Sequence, residues 1–279
     1  MATRFYLPIS GTPPLNSLAV NANWELIGSL TRLPCFTTKQ NTALTQVSAV
    51  WSAGVTQQWC WRQWQSEPMV AAYDWTTADT VSMVIKCAEN LISVDSHLAY
   101  VIRVVSGDGS VIRGVIGLYH ATSSEYPTSL ATIATRIHSA RVNGATNFSS
   151  QIGDRIIIEI GHHGVTPALE TVYHNYGDPS AIGDYALTAG LTTDLCPWVE
   201  LSRTVSFSVT IVEETASVIK YKGIITESQV SDQNALTETV HEGFGVIDNV
   251  DIGDNGILTD YIGITADGIG IIEETLYGV

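Results

Sequence analysis

Three observations predict an all-β protein, a jelly-roll-like two-sheet sandwich followed by an extended β-strand C-terminal segment. The 279-residue chain is 45% hydrophobic but only 15% charged, against roughly 25% charged in ordinary soluble domains. It is also rich in Thr, Val, Ile, Ser and Gly, and the β-branched members of that set suit a pleated, half-buried surface. Between Arg4 and about Ala216, apolar stretches alternate with turn signals, and no segment sustains a 3.6-residue apolar period long enough for a helix. Beyond Lys222 the composition changes, because the last 57 residues hold no Lys, Arg, Cys, Trp or Pro but 11 Asp or Glu. The expected division is a sandwich over residues 1–216 and an acidic, extended segment over residues 217–279.

The strands can be justified in order. QQWCWRQWQ places Trp59 and Trp61 on one face of a strand and Trp64 on the other. TVSMVIKC turns Val81, Met83 and Ile85 one way, with Ser82 and Lys86 the other. HLAYVIRVVSGDGSVIRGVIGLYH, residues 97–120, reads as a hairpin with Ser106–Ser110 at its tip. An odd-numbered loop there sets Val105 opposite Val111, Leu98 opposite Leu118, Tyr100 opposite Ile116 and Val104 opposite Ile112. The same register puts Arg103 opposite Arg113 on the other face, either both solvated or one paired with an acid. GDRIIIEIG turns Ile156, Ile158 and Ile160 inward, with Arg155 and Glu159 outward. WVELSRTVSFSVTIVEE supplies one or two further strands. Many short alternating strands with Gly, Asp and Ser turns make a sandwich or jelly roll.

The C-terminal segment repeats an aliphatic residue, any residue, then an acid. The unit is loose at first (Ile225 with Glu227, Val230 with Asp232, Leu236 with Glu238, Val240 with Glu242). It is then spaced by six from Val246 with Asp248, through Ile252 with Asp254, to Leu258 with Asp260. Six is even, so every unit presents the same side of an extended chain. Such a stretch has too few large side chains for a core of its own, yet is too apolar to stay solvated without risk of aggregation. It is expected to add strands to a neighbouring copy, with Val246, Val250, Ile252, Leu258, Ile262 and Ile264 as the docking side chains. Head-to-tail exchange of that kind makes a filament when it does not close into a ring.

RFYLPISGTPP, AYVIRVVSGDGSVIRG, SSQIGDRIIIEIG, YGDPSA and DLCPWVELS fall in order over roughly residues 4–204. On these motifs the first region resembles phage-associated and environmental-virus β-sandwich structural proteins, and the tail is similar to the repeats that follow such domains in fibre-like proteins. The resemblance implies a virion or surface component and carries over no catalytic residues. A looser, architectural similarity links the chain to pilus subunits that polymerise by donor-strand exchange. Extracellular filament or virion is the expected location. MATRFYLPISGTPP lacks the charged start and apolar core of a secretory leader, which favours release from a lysed host over chaperone-dependent secretion.

Other chemistry is weighed against plainer readings. A formal charge of −15 repels phosphate backbones, so nucleic acid is not an expected partner. No apolar run reaches the length of a spanning helix, so no membrane insertion is expected. Cys35, Cys60, Cys87 and Cys196 include no C-x-x-C pair, which argues against zinc and leaves buried free thiols or one or two disulfides. His162, His163 and His174, near Asp154 and Glu159, invite a metal site, but neighbours on a strand point to opposite faces. Arg136 and Arg141 in RIHSAR read as an anion site or an ordinary polar edge. Trp59 and Trp61, with Trp64 and Trp75, either fill the core or stack on surface glycans, which would make the chain a lectin-like phage fibre or capsid decoration protein. Calcium is a candidate ligand for the repeated Asp residues, although one Asp per six residues is a sparse shell. Gatekeeping of a sticky strand is the plainer role. No nucleophile, P-loop or zincin motif occurs, and the expectation is a non-enzymatic subunit whose partner is another copy of itself.

Overall fold

The computed structural model describes residues 2–51, 56–91, 95–120, 124–128, 133–141, 147–165, 170–207, 244–245, 261–265 and 268–272. The chain divides into two units, Met1–Thr210 and Ile211–Val279.

The first unit is a β-sandwich, with no helix among its described residues. Its front sheet contains β1 (Thr3–Tyr6), β3 (Thr45–Trp51), β6 (Thr80–Glu89), β9 (Ala134–Arg141), β12 (Glu170–Tyr176) and β13 (Trp198–Leu201). Its back sheet runs in the order β2 (Leu26–Pro34), β4 (Thr56–Gln65), β11 (Arg155–Val165), β7 (His97–Val105), β8 (Ile112–His120). One edge of β6 pairs with β9, and the other is shared by β13 at Val81–Val84 and β12 at Lys86–Glu89. β1 pairs with β13 and β3 with β12, all antiparallel. The β2–β4 pair alone in these two sheets is parallel. A two-residue ladder joins β5 (Asp74–Trp75) to β10 (Phe148–Ser149). Apart from β7 to β8 and β12 to β13, consecutive large-sheet strands lie in opposite sheets, which is how a jelly roll wraps its chain.

The expected inward rows meet in one core. Val81, Met83, Ile85 and Cys87 of β6 and Val172 and Tyr176 of β12 face Ile156, Ile158 and Ile160 of β11 and Leu98, Tyr100, Ile102 and Val104 of β7. All four cysteines are free thiols and buried. Desolvation raises the Cys87 thiol to about 12, so it stays protonated and unreactive.

The structure corrects two expectations about the hairpin and its neighbour. Tyr100 pairs with Tyr119, Val101 with Leu118, Arg103 with Val115 and Val105 with Ile112, because Ile116 and Arg113 are each an extra residue on β8. Two bulges, beside Gly117 and Gly114, slide the whole expected register. Gly114 is required there, since a Cβ would fall 2.3 Å from the ring of Phe148. Arg103 and Arg113 therefore do not oppose one another. The Arg113 Nε donates to Asp154 at 3.0 Å, and Arg103 is buried against Glu159.

Glu159 and Arg103, expected on a solvated face, are 0% and 1% exposed. The non-strand stretch 15–25 covers that face of the back sheet. Leu15 and Leu18 pack on Val105 and Ile157, and Trp24 packs on Cys60, Ala99 and Val101. Gln65 fixes the strap by accepting from the Leu15 N–H at 2.7 Å and donating back to its carbonyl at 2.8 Å. The middle of the back sheet, at β4, β11 and β7, is thus buried on both faces.

In the second unit, β14 (Phe244–Gly245), β15 (Tyr261–Thr265) and β16 (Gly268–Ile272) form an antiparallel sheet with β15 central. Part of the segment pairs with itself, which a single extended strand does not include. Only Ala266 and Asp267 separate β15 from β16, a spacing that suits a tight hairpin.

Candidate functional site

Trp61 is the extra residue of a bulge in β4. Ile160 pairs with Arg62 and Gly161 with Cys60, so Trp61 has no partner across the ladder. The bulge reverses side-chain parity, and Trp59, Trp61 and Trp64 all meet the core, where alternation alone would put Trp64 on the opposite face. Gly161 makes the approach possible, because a Cβ there would lie 1.8 Å from the Trp59 carbonyl oxygen. At 4% exposed, Trp61 is closed to a glycan, and Trp59 is only partly exposed against the same core. Of the two residues expected to stack on glycans, Trp61 is thus enclosed and Trp59 keeps part of its surface open.

Around Trp61 the core is aromatic and polar. The His174 ring lies 4.1 Å from Trp61 between centroids, and His162 meets Trp61 edge-on at 5.7 Å. The His174 ring nitrogens hydrogen-bond the Tyr126 hydroxyl at 2.8 Å and the Tyr176 hydroxyl at 2.7 Å. Burial, helped by nearby His163, pushes His162 down to about 3. Burial, with His162 and Arg62 nearby, also holds His174 well below the usual imidazole range. Both rings are neutral packing groups. His163 points away from the core and stacks near His120 at 5.2 Å. Among the described residues no group of three or more His, Cys, Asp or Glu is placed to hold a metal.

The Glu159 carboxylate accepts from Arg103 at 2.8 Å, Gln63 Nε2 at 3.0 Å, Trp24 Nε1 at 2.9 Å and the Asn21 N–H at 3.0 Å. Arg103 also donates to the Ala19 carbonyl. With four donors and no opening to solvent, this carboxylate clamps the strap to the sheet. Sequence reasoning missed it because nothing in GDRIIIEIG announces a non-strand cover; the signal was a pair of unlike charges, Arg103 and Glu159, on adjacent strands. Arg136 is likewise engaged, donating to the Ser124 and Glu125 carbonyls, and the Arg141 side chain lies outside the described residues. A shallow depression of about 320 Å³ between Pro14–Ala19 and the Asp108–Ser110 turn contains one carboxylate. That group, Asp108, already accepts from Ser106 and Ser110.

The sheet edges differ in how they are guarded. β2 carries Arg32 and ends at Pro34, β8 carries Arg113 and two bulges, and β9 carries Arg136 and Arg141. Further, β9 is partly covered where Thr135 exchanges backbone hydrogen bonds with Gly190 and Leu191. β1 is only four residues long and carries Arg4. These are the usual protections of an edge. β3, TQVSAVW, has no charge and no proline, and its ladder to β12 runs unbroken from Thr45 to Trp51. Its other edge has no backbone partner among the described residues. Gln46 and Ser48 are exposed, Val50 is 53% exposed, and Val47 and Ala49 are half-buried against the core.

Of the expected docking residues, Ile262 and Ile264 are in β15, where their backbone partners are Ile271 and Ile269. Val246, Val250, Ile252 and Leu258 lie outside the described residues, as do the acids between them. Compared with known proteins, the chain matches no family model, and no curated protein is significantly similar to it.

Proposed function

We propose that the protein is a non-enzymatic structural subunit that assembles with copies of itself into an extracellular filament or virion appendage. Its sandwich is the body of the subunit, and its C-terminal segment docks on a neighbour. The observation that supports this reading most is a mismatch. A sandwich that guards its other edges leaves β3 uncharged and unbroken, in a chain ending in 57 residues of acid-spaced aliphatic sequence without a single cation. An edge with no backbone partner among the described residues and a strand-forming tail are the two halves of strand addition. Among the described residues, Glu159, His162, His174 and Trp61 are all taken up in packing and internal hydrogen bonds, which fits a structural role.

Deleting residues 223–279 should leave a soluble, folded monomer by circular dichroism and light scattering that no longer assembles. Filaments or rings from the truncated protein in negative-stain images would sink the proposal.

A further inference from the structure

We propose that β3 is the acceptor edge and that residues 248–254 of a second copy form the strand laid along it. This rests on the assembly reading above and specifies its contact.

The fit comes from length, parity and charge. β3 has seven residues, and its inner row includes Thr45, Val47 and Ala49. Val47 and Ala49 pack on the core but stay partly exposed, as expected where no strand lies beyond them among the described residues. In the tail, DNVDIGD, residues 248–254, is also seven residues long and has Val250 and Ile252 between Asp248 and Asp254 on one parity. Laid side by side in either direction, the two aliphatic residues come level with Val47 and Ala49, and the two acids fall at the ends of the edge. The spacing of six then has a use: it limits each docking unit to two aliphatic residues, and a slip of one residue would turn Asn249, Asp251 and Gly253 onto the core.

Charge favours this edge. The tail carries 11 acids and no cation over residues 223–279, so it is repelled by acidic surfaces. β3 has no acid, and its neighbour β12 has one, Glu170, at the end of the ladder opposite Trp51. Reach is sufficient, since the 40 residues from 208 to 247 can extend about 130 Å at roughly 3.3 Å per residue. β15, by contrast, already has β14 and β16 on its two sides, which leaves the stretch before it as the donor.

The centres of the two seven-residue windows are Ser48 and Asp251, and these are level whichever way the strand runs. Both are on the outer row, and Ser48 is exposed. The four native cysteines are buried, so an added surface thiol is the one that oxidises. Full-length Ser48→Cys and full-length Asp251→Cys, purified separately, mixed and oxidised, should give a disulfide joining positions 48 and 251, identified by mass spectrometry. Full-length Ile112→Cys, on the guarded edge β8 where Ile112 is 55% exposed, should give none with Asp251→Cys. If assemblies form in electron micrographs but position 251 links to 112, or to neither edge, the acceptor assignment is overturned while the assembly reading stands. If the link forms only within a double Ser48→Cys/Asp251→Cys chain, the tail docks in cis and the exchange is overturned. If neither mixture nor the unaltered protein assembles or links, both readings fail.

Discussion

All seven tryptophans and all four cysteines lie within the first 207 residues, whereas residues 223–279 contain neither. Both regions are written in the period of two that strands require, yet they use it differently. In the sandwich, large side chains on the inner rows fill a core from two sheets, and a strap over the back sheet gives even the outer row something to bury against. In the tail, aliphatic residues of one size recur with acids on the same row, a pattern that makes a sticky surface without the volume to close it. The difference is one of completeness: one region supplies its own second layer, and the other, on the proposed reading, takes its second layer from a neighbouring copy. Four experiments can break or sharpen that contrast.

The largest effect is expected inside the strap. Glu159→Ala would leave the Arg103 guanidinium buried without its carboxylate, a change that typically costs about 3–5 kcal/mol. Urea unfolding should report a loss of that size, and the double variant Glu159→Leu/Arg103→Met should recover most of it. A small effect from the single change would mean that the strap opens to water and that the back sheet is not a closed layer.

Next comes the bulge that brings Trp61 into the core. Gly161→Ala places a methyl group where the Trp59 carbonyl oxygen already sits, 1.8 Å away, and should destabilise by roughly 1–3 kcal/mol as forced overpacking does. Near-ultraviolet circular dichroism should shift with it, since the tryptophans and His162 repack together. An unchanged spectrum and midpoint would show that the bulge relaxes freely.

Acid should weaken the sandwich earlier than carboxylate titration alone would. His162, held near 3, and His174, held well below the usual range by burial, stay neutral when folded but take up protons in the unfolded chain below about 6.5. The unfolded state therefore binds more protons as pH falls through that value. Stability is full above about pH 6.5 and declines below it, by up to about 1.4 kcal/mol per pH unit for each histidine. Urea midpoints at pH 7 and pH 5 should differ accordingly, and His162→Gln should flatten the slope by about half. Equal slopes in the variant would place the acid sensitivity elsewhere.

The smallest effect belongs to the tail. Removing residues 211–279 should leave the monomer's unfolding free energy within about 0.5 kcal/mol of the intact chain, as for changes away from a packed core. A larger loss would mean that the segment braces its own sandwich, and the contrast drawn here would collapse.

Much of the first region was legible in the sequence. Ile156, Ile158 and Ile160, and Val81, Met83 and Ile85, alternate without interruption and turn inward in the structure. Bulges were not legible, because inserting Ile116, Arg113 or Trp61 changes neither composition nor local apolarity, only the count of residues on one side of a ladder. Gly117 and Gly114 adjoin the first two and were an available signal, whereas Gly161 meets the Trp61 bulge only from the partner strand. The face occupied by Glu159 and Arg103 was misread for another reason. Charge on a strand usually means solvent, and only the three-dimensional arrival of residues 15–25 turns it into a buried pair. At the candidate interface the sequence showed the tail's repeat but not its counterpart, because a bare edge is a property of sheet order, and TQVSAVW as a string looks like any other strand.

The pairing of β1 with β13 sets a timetable for synthesis. Thr3 is aligned with Leu201, and the Thr3 hydroxyl accepts from the Val205 N–H at 2.7 Å. Apart from the bridge between Tyr6 and Phe36, β1 must therefore wait for almost the last strand of the sandwich before its ladder can form. When that partner emerges, the acid-spaced tail is still being made. On the proposed assembly, a subunit built in this order has its body ready before its donor strand is complete.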